Sequence, residues 1–334
     1  MQQTEFDLIA AINERLPAPG PRVRVASGDD AAVVEPRAAS AISVDAIVDG
    51  VHFRLADFGA EAVGRKALAA GLSDLAAMGA SQGEAYVVVG APPELDDDQL
   101  LGITDGLAEV ATREEISITG GDLVSSPVLL VSVTAIGYEP GRARFVTRAG
   151  AGPRDVVAVT GELGGAAAAL TLLEDGGAPT SLPDGVRKRL LARQLNPIPR
   201  LQEGRALAAE GATAMIDISD GLGADAGHIA ASSECRLEID LDRVPVADGV
   251  TEVAGGRSEA LELAASGGED YELLVTLPRD RVAAAASAVA ETGTKLTEVG
   301  YVVEGRGVAL RLPGGGEIQP RGFDQRRGSL SGSG

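Results

Sequence analysis

Carboxylates stand beside glycine or serine where β-like runs begin or end: Gly28-Asp29-Asp30, Ser43-Val44-Asp45, Ser73-Asp74, Gly120-Gly121-Asp122 and Asp217-Ile218-Ser219-Asp220-Gly221. Short oxygen donors grouped in this way suit hard cations, Mg²⁺ first and Mn²⁺ or Ca²⁺ behind it. Glycine next to a carboxylate lets backbone and ligand approach closely, and strand-end loops are where α/β folds hold ligands. Any one of these motifs is ordinary turn or cap chemistry. The set is more than that, because Asp45 and Asp217 fall inside the apolar runs AISVDAIV and AMIDIS, where an uncompensated carboxylate is costly. Lysine and arginine are scarce around these motifs, so the compensating charge is read as several magnesium ions.

Divalent ions between carboxylates and a polyanion point to nucleotide phosphates and phosphoryl transfer. There is no GxxxxGK[ST] loop, and no kinase-type GxGxxG or HRD set, which excludes the two commonest kinase architectures. The string Gly161-Glu162-Leu163-Gly164-Gly165 precedes an Ala-rich helical stretch. It could cradle phosphate at a helix N-terminus, or serve close helix–strand packing.

Positioning these residues takes an α/β series repeated in two halves of a 334-residue chain, long enough for two domains. Residues 4–16 read as an opening helix, with Thr4 as cap and Phe6, Ile9, Ile12 and Leu16 at helical spacing. β-like runs follow at Ala41 to Val48, Ala85 to Gly90, Ile116 to Thr119 and Val128 to Tyr138, with helical stretches near 60–78 and 97–112. The Gly-, Pro- and Arg-rich segment 139–153 suits a domain connection. It separates an N-terminal domain over 1–140 from a C-terminal domain over 150–327. The second series predicts strands at Val156 to Thr160, Ala214 to Ile218, Arg236 to Ile239 and Tyr271 to Leu277, a helix over Gly165 to Leu173, and a late hairpin around Gly305. Residues 328–334 read as a flexible tail.

Composition removes whole classes of function. The net charge of −20, aromatic content of 3% and absence of Trp leave neither the basic surface nor the stacking platforms of nucleic-acid binders. With Cys235 as the single cysteine and only His52 and His228, there is no internal disulfide and no tetrahedral zinc set; Cys235 reads as buried apolar filler. No stretch is long enough for a membrane span. The first residues carry Glu5 and Asp7 in place of a basic signal region. The expectation is a cytoplasmic protein with no membrane partner.

The strings SGDDAAVV (27–34), SVDAIVDGVHF (43–53), KALAAGLSDLAAMGA (66–80), GGD (120–122), VTRAGAGPRDVVAVTGELG (146–164), MIDISDGL (215–222) and SGGEDYEL (266–273), in this order, resemble thiamine-monophosphate kinase. This family belongs to the aminoimidazole-ribonucleotide synthetase-like superfamily. The resemblance runs from about Glu5 to Phe323. It implies a two-domain α/β (α+β) fold: an N-terminal sheet pairing with its twin in a homodimer, a C-terminal α/β domain, and an active site in the cleft between domains. Carried over residue by residue, it implies magnesium ligation by Asp30, Ser43, Asp45, Asp74, Asp122, Asp217 and Asp220. Val44 stands where the family often has a metal-binding Thr and can offer only its carbonyl. Gly121, Asp122, Arg148 and Ser219 match ATP contacts, and His52, Glu269 and Phe323 match contacts to the thiamine moiety. The Tyr that often touches the nucleotide ahead of GGD has no counterpart, Arg113-Glu114-Glu115 standing there instead, and the common GGDT is closed by Leu123.

The implied reaction is in-line transfer from ATP to thiamine monophosphate, giving thiamine diphosphate and ADP. The attacking phosphate, with a second pKa of about 6, is already mostly dianionic at neutral pH and needs no general base. Asp74, Asp122, Asp217 and Arg148 carry the catalytic assignment. Selenophosphate synthetase chemistry calls for a reactive cysteine near the N-terminus, and the cysteine here is at 235. The alternatives are a purine-precursor synthetase of the same superfamily and a non-enzymatic Ca²⁺- or nucleotide-binding module.

Overall fold

The computed structural model describes residues 5–27, 31–139, 144–174, 182–319, 322–324 and 329–330. The chain divides into two compact units, one of Met1–Leu75 with Ala80–Glu139, the other of Ala76–Gly79 with Pro140–Gly334.

In the first unit, helix α1 (Glu5–Arg15) and the short strands β1 (Val23–Val25) and β2 (Val33–Val34) precede β3 (Ser40–Val48). Helices α2 (Leu55–Phe58) and α3 (Ala60–Ala77), strand β4 (Ser81–Ala91), helix α4 (Asp97–Arg113) and strands β5 (Ser117–Ser125) and β6 (Leu130–Tyr138) follow. The sheet order is β3-β6-β4-β5; β6 is antiparallel to both neighbours, and β4 and β5 run parallel. Sequence patterning finds all four strands but ends β5 six residues early, because GGDLVS carries little apolar signal. Helix α4 begins at a capping box in which the Gln99 N–H donates to Asp96 Oδ1 at 2.7 Å and the Asp96 N–H to Gln99 Oε1 at 3.1 Å. It meets α3 backbone to backbone: a Cβ at Gly64 would stand 2.0 Å from the Ile103 carbonyl oxygen, and one at Gly106 1.9 Å from that of Glu61. Only glycine fits at these two points. Together with fully buried Val63, Leu68 and Leu72, the contact fixes the rotation of α3 and hence the direction of Asp74 in its last turns. Lys66 is fully buried with its ammonium 5.2 Å from the Phe58 ring centroid.

The second unit has strand β7 (Val156–Thr160), helices α5 (Gly165–Glu174), α6 (Asp184–Leu195) and α7 (Leu201–Ala209), and strand β8 (Ala214–Ile218). Next come α8 (Leu222–Ser232), β9 (Arg236–Asp240), α9 (Val250–Ala254), α10 (Arg257–Ser266), β10 (Glu272–Leu277), α11 (Val282–Glu291), β11 (Leu296–Val303), β12 (Gly307–Arg311) and β13 (Glu317–Ile318). A seven-stranded sheet in the order β13-β12-β9-β11-β7-β10-β8 forms its centre. Only the β9–β12 pair is parallel. Every residue of β7, β8 and β10 is buried, which explains why these strands read as continuous apolar runs rather than alternating ones. Cys235 is buried in the core among Ile229, Leu237 and Val302, as its apolar reading expects.

One expectation is corrected here. The strands flanking Gly305 do not pair as a hairpin: β11 pairs with β9 and β7, β12 pairs with β9 and β13, and β9 lies between them. Proximity in sequence suggested the pairing, whereas β9 comes between them, antiparallel to β11 and parallel to β12. Ser329–Leu330 (β15), inside the segment expected as a flexible tail, pairs antiparallel with β14 (Phe323–Asp324); the rest of 328–334 lies outside the described residues.

Candidate active site

The carboxylates form one group in each unit, with Asp122 standing apart from the group on the first. In the first unit, β3 and the end of α3 bring Ser43 and Asp74 together, the serine hydroxyl donating to Asp74 Oδ2. Asp45 lies two residues on, on the same face of β3 as Ser43, and its Oδ1 accepts the Ala46 N–H at 2.7 Å. Ser43, Asp45 and Asp74 are all half-buried, and Val44 between them is 70% exposed. Asp30 lies outside the described residues. His52, in the turn after β3, accepts the Val48 N–H on Nδ1 at 3.1 Å, which places the proton of a neutral ring on Nε2.

Gly121 and Asp122 lie on β5, at the opposite edge of the sheet from β3. Three strand spacings separate these edges, about 14 Å, so the fold of this unit does not join Asp122 to the Ser43–Asp45–Asp74 group. Both residues are exposed, and Asp122 Oδ1 accepts the Leu123 N–H at 2.9 Å. A Cβ at Gly121 would stand 2.0 Å from the Val87 carbonyl oxygen, so the position admits only glycine. Beside them opens a pocket of about 140 Å³ between α1, α4 and the β4–β5 pair, walled by Ile9, Ile12, Leu16, Val87, Leu100 and Leu107.

In the second unit, β8 ends in Asp217, which is 4% exposed, and runs into the loop Ser219-Asp220-Gly221 ahead of α8. Asp225, in the first turn of α8, reaches back so that its Oδ2 accepts the N–H groups of Ser219, Asp220 and Gly221, each at 3.1 Å. The loop before β10 lies along the same stretch: the Glu269 N–H donates to the Ser219 carbonyl at 2.8 Å and the Tyr271 N–H to that of Ile218 at 2.9 Å. Glu269 and Tyr271 both take left-handed backbone, at φ 67° and 50°, conformations that cost a non-glycine residue energy and are held by this bonding. The Glu269 carboxylate accepts from Gln194 Nε2 at 2.8 Å.

Electrostatics follow from this crowding. Burial pushes the Asp220 carboxyl above the usual range, with the charges of His228 and Arg148 pulling it down and Glu269 adding to the rise. Burial raises Asp225 well above the ordinary value, and the facing Asp217 and Asp220 carboxylates raise it further. Asp220, Asp225 and His228 can bring one ligand atom each to within 4.8 Å of one another. A cation there would relieve charges that otherwise repel. Arg148 is exposed within interaction range of Asp220. Phe323 opens β14, its side chain lying outside the described set.

The phosphate-cradle reading of Gly161–Gly165 is corrected. The N-terminus of α5 is already occupied by a carboxylate of this chain: Asp270 accepts the Gly164 N–H on Oδ2 at 2.7 Å and the Ala166 N–H on Oδ1 at 3.1 Å. Burial pushes its pKa up to about 7, against the lowering effect of those two bonds. Sequence reasoning missed Asp225 and Asp270. Their signal was an acid placed to cap a helix, four residues after Gly221 in one case and distant in sequence in the other. It also missed buried Glu272, which accepts two bonds from Arg200, at 2.7 and 2.6 Å, one from Arg193 and one from Thr160.

Residues 28–138 match the family model of the AIR synthase related protein N-terminal domain, and 152–313 that of its C-terminal domain. A thiamine-monophosphate kinase of Caulobacter vibrioides is 38% identical over 317 residues, 93% of this chain and 87% of the relative. The chain belongs to the thiamine-monophosphate kinase family. A Mycobacterium tuberculosis member is 42% identical over 257 residues, 75% of this chain and 74% of its own. The crystal structure of a thiamine-monophosphate kinase from Stenotrophomonas maltophilia superposes with a TM-score of 0.82 at 36% identity, covering 93% of this chain and 97% of that one. A structure described as AaThiL complexed with AMPPCP and TMP matches with a TM-score of 0.76 at 30% identity over 97% and 99% of the two chains.

Proposed function

We propose that this chain transfers the γ-phosphoryl group of ATP to the phosphate of thiamine monophosphate. An acceptor phosphate oxygen bonds to the γ-phosphorus, the bond between the γ-phosphorus and the β–γ bridging oxygen breaks, and ADP leaves with that oxygen and the electron pair. The observation that carries the reading is family membership together with two all-oxygen carboxylate groups that a phosphate ligand could approach only through cations.

The donor set fits Mg²⁺: short, hard carboxylates, with one serine hydroxyl beside them. When bound, magnesium ions neutralise the facing phosphates and align them. Asp45, Asp74 and Ser43 would hold ions on the first unit, with Asp122 on its β5 edge, and Asp217 and Asp220 on the second. Val44, turned outward, would serve by its carbonyl alone, and Asp30 remains assigned by resemblance. The apolar pocket beside Gly121 and Asp122 suits a purine ring, and Leu100 and Leu107 on α4 would replace the contact of the missing tyrosine. Ser219 and Arg148 face the nucleotide phosphates in this reading. Glu269, oriented by Gln194, favours the cationic thiazolium, and His52 and Phe323 remain assigned to the thiamine moiety by resemblance. Ile42 and Val44, 62% and 70% exposed on one face of β3, support pairing with a second copy, giving a homodimer. Among the described residues no helix is long and apolar enough to cross a membrane, and supply of ATP agrees with a cytoplasmic enzyme.

The test is coupled ADP release over a panel of phosphorylated acceptors, with Mg²⁺ titrated at fixed MgATP. Turnover should be confined to thiamine monophosphate and keep rising after all ATP is complexed. Activity on a purine precursor alone, or a plateau at complete complexation, would overturn the acceptor or the multi-metal assignment respectively.

A further inference from the structure

Asp225 is buried, 2% exposed, and apart from its place beside Asp220 and His228 it has no role in the proposed reaction. Its Oδ2 accepts three successive N–H groups, those of Ser219, Asp220 and Gly221, each at 3.1 Å. These three residues are the whole of the loop between β8 and α8. The other bonds described for this loop are to carbonyls, that of Ser219 accepting the Glu269 N–H at 2.8 Å and that of Gly221 the Asp225 N–H at 3.0 Å, so its N–H groups are set by Asp225. Gly221 sits at φ 118°, a conformation with no intrinsic preference for holding its neighbours, and a Cβ there would meet the Ser266 carbonyl oxygen at 2.8 Å. A glycine-hinged loop carrying two ligand-facing side chains needs an outside restraint, and one carboxylate oxygen supplies it from a helix that packs in the core through Leu222, Ala226 and Ile229.

We infer that Asp225 is a positioning residue for nucleotide binding, holding the Ser219–Asp220 loop in the geometry that receives magnesium and the ATP phosphates. The inference rests on the proposed kinase reading. It extends that reading to a residue whose action passes through backbone rather than through contact with the ligand. The neighbouring loop that carries Glu269 has its own supports. Gln194 holds the Glu269 carboxylate, and Asp270 ties the next residue to α5 at Gly164 and Ala166. The Glu269 N–H also donates to the Ser219 carbonyl, but these separate anchors hold the Glu269 side chain, so loss of the Asp225 carboxylate disturbs the ATP side more than the thiamine side.

The experiment compares Asp225→Ala and Asp225→Asn with the wild-type enzyme, reading both KM values, the Mg²⁺ concentration for half-maximal rate, and MgATP affinity by calorimetry without acceptor. The alanine variant should raise the KM for ATP and the Mg²⁺ requirement about ten- to a hundredfold, the usual effect of removing a group that orients a ligand. Its KM for thiamine monophosphate should stay within about twofold of wild type. The asparagine variant keeps an acceptor oxygen of the same reach and should remain within about threefold on the ATP side. It is also the variant that guards against failure of Asp225→Ala to fold. Unchanged ATP and Mg²⁺ dependence in a folded alanine variant would overturn the inference. So would a loss in Asp225→Asn as deep as in Asp225→Ala, since charge and not loop geometry would then be the cause. Absence of thiamine-monophosphate turnover in the wild type would instead sink the kinase reading itself.

Discussion

The two carboxylate groups are built in opposite ways. On the first unit, Ser43, Asp45, Asp74 and Asp122 project from regular strands and a helix, half-buried or exposed. Among the bonds described for their carboxylates are one serine hydroxyl and two N–H groups, each from the residue next in sequence. On the second, Asp217 is nearly inaccessible, and the loops around it are cross-tied by Asp225, Asp270, Gln194 and the β8–β10 pairing. Regular elements fix side chains through their own backbone ladders and need little bracing. Loops carrying left-handed residues at Glu269 and Tyr271 depend on buried polar groups, whose loss leaves unsatisfied partners. The second unit should therefore be the more fragile under mutation and the first the more dependent on added cation.

The largest expected effect tests the bracing. Glu272 is fully buried with Arg200 and Arg193 upon it, and Glu272→Ala removes the carboxylate they share, leaving Glu203 at 3.7 Å from Arg200 and Glu162 at 3.3 Å from Arg193, at a cost of about 3 kcal/mol. Urea unfolding measures it; a loss below about 1 kcal/mol would mean the second unit is not held in this way. A somewhat smaller effect, on activity, is expected in both groups alike. Asp74→Asn and Asp217→Asn should each lower kcat on the order of a hundredfold while circular dichroism stays native. Either folded variant retaining near wild-type kcat would strike that residue from the metal set. The smallest effect sharpens the comparison through pH. Because Asp270 titrates at about 7 in the folded chain against an ordinary 3.8, the folded state holds a proton that the unfolded chain releases. Its contribution is complete below about pH 4 and is lost as pH rises toward 7, with a slope of at most about 1.4 kcal/mol per pH unit. Asp270→Asn should lack that slope; parallel stability–pH curves for wild type and variant would refute it.

What the sequence by itself determined is the set of elements with strong apolar patterning and the acid-beside-glycine motifs. β7 and β8 appear at the very residues their apolar runs mark, and Ser43 and Asp74 each stand in one of those motifs. These features are local: period, turn residues and composition act over a few positions. Tertiary structure alone decided which distant groups meet. Asp270 lies 106 residues from the Gly164 N–H it accepts, and that meeting, not the glycine string itself, determines that the α5 N-terminus is filled. β9 separates β11 from β12 by pairing with both from some 60 residues away in sequence. Asp122 is set at the far edge from Asp45 by strand order, which no local pattern encodes. The physical reason is common to all three cases: burial free energy and hydrogen-bond satisfaction are properties of the assembled core, and a motif carries no record of which distant segment will complete it.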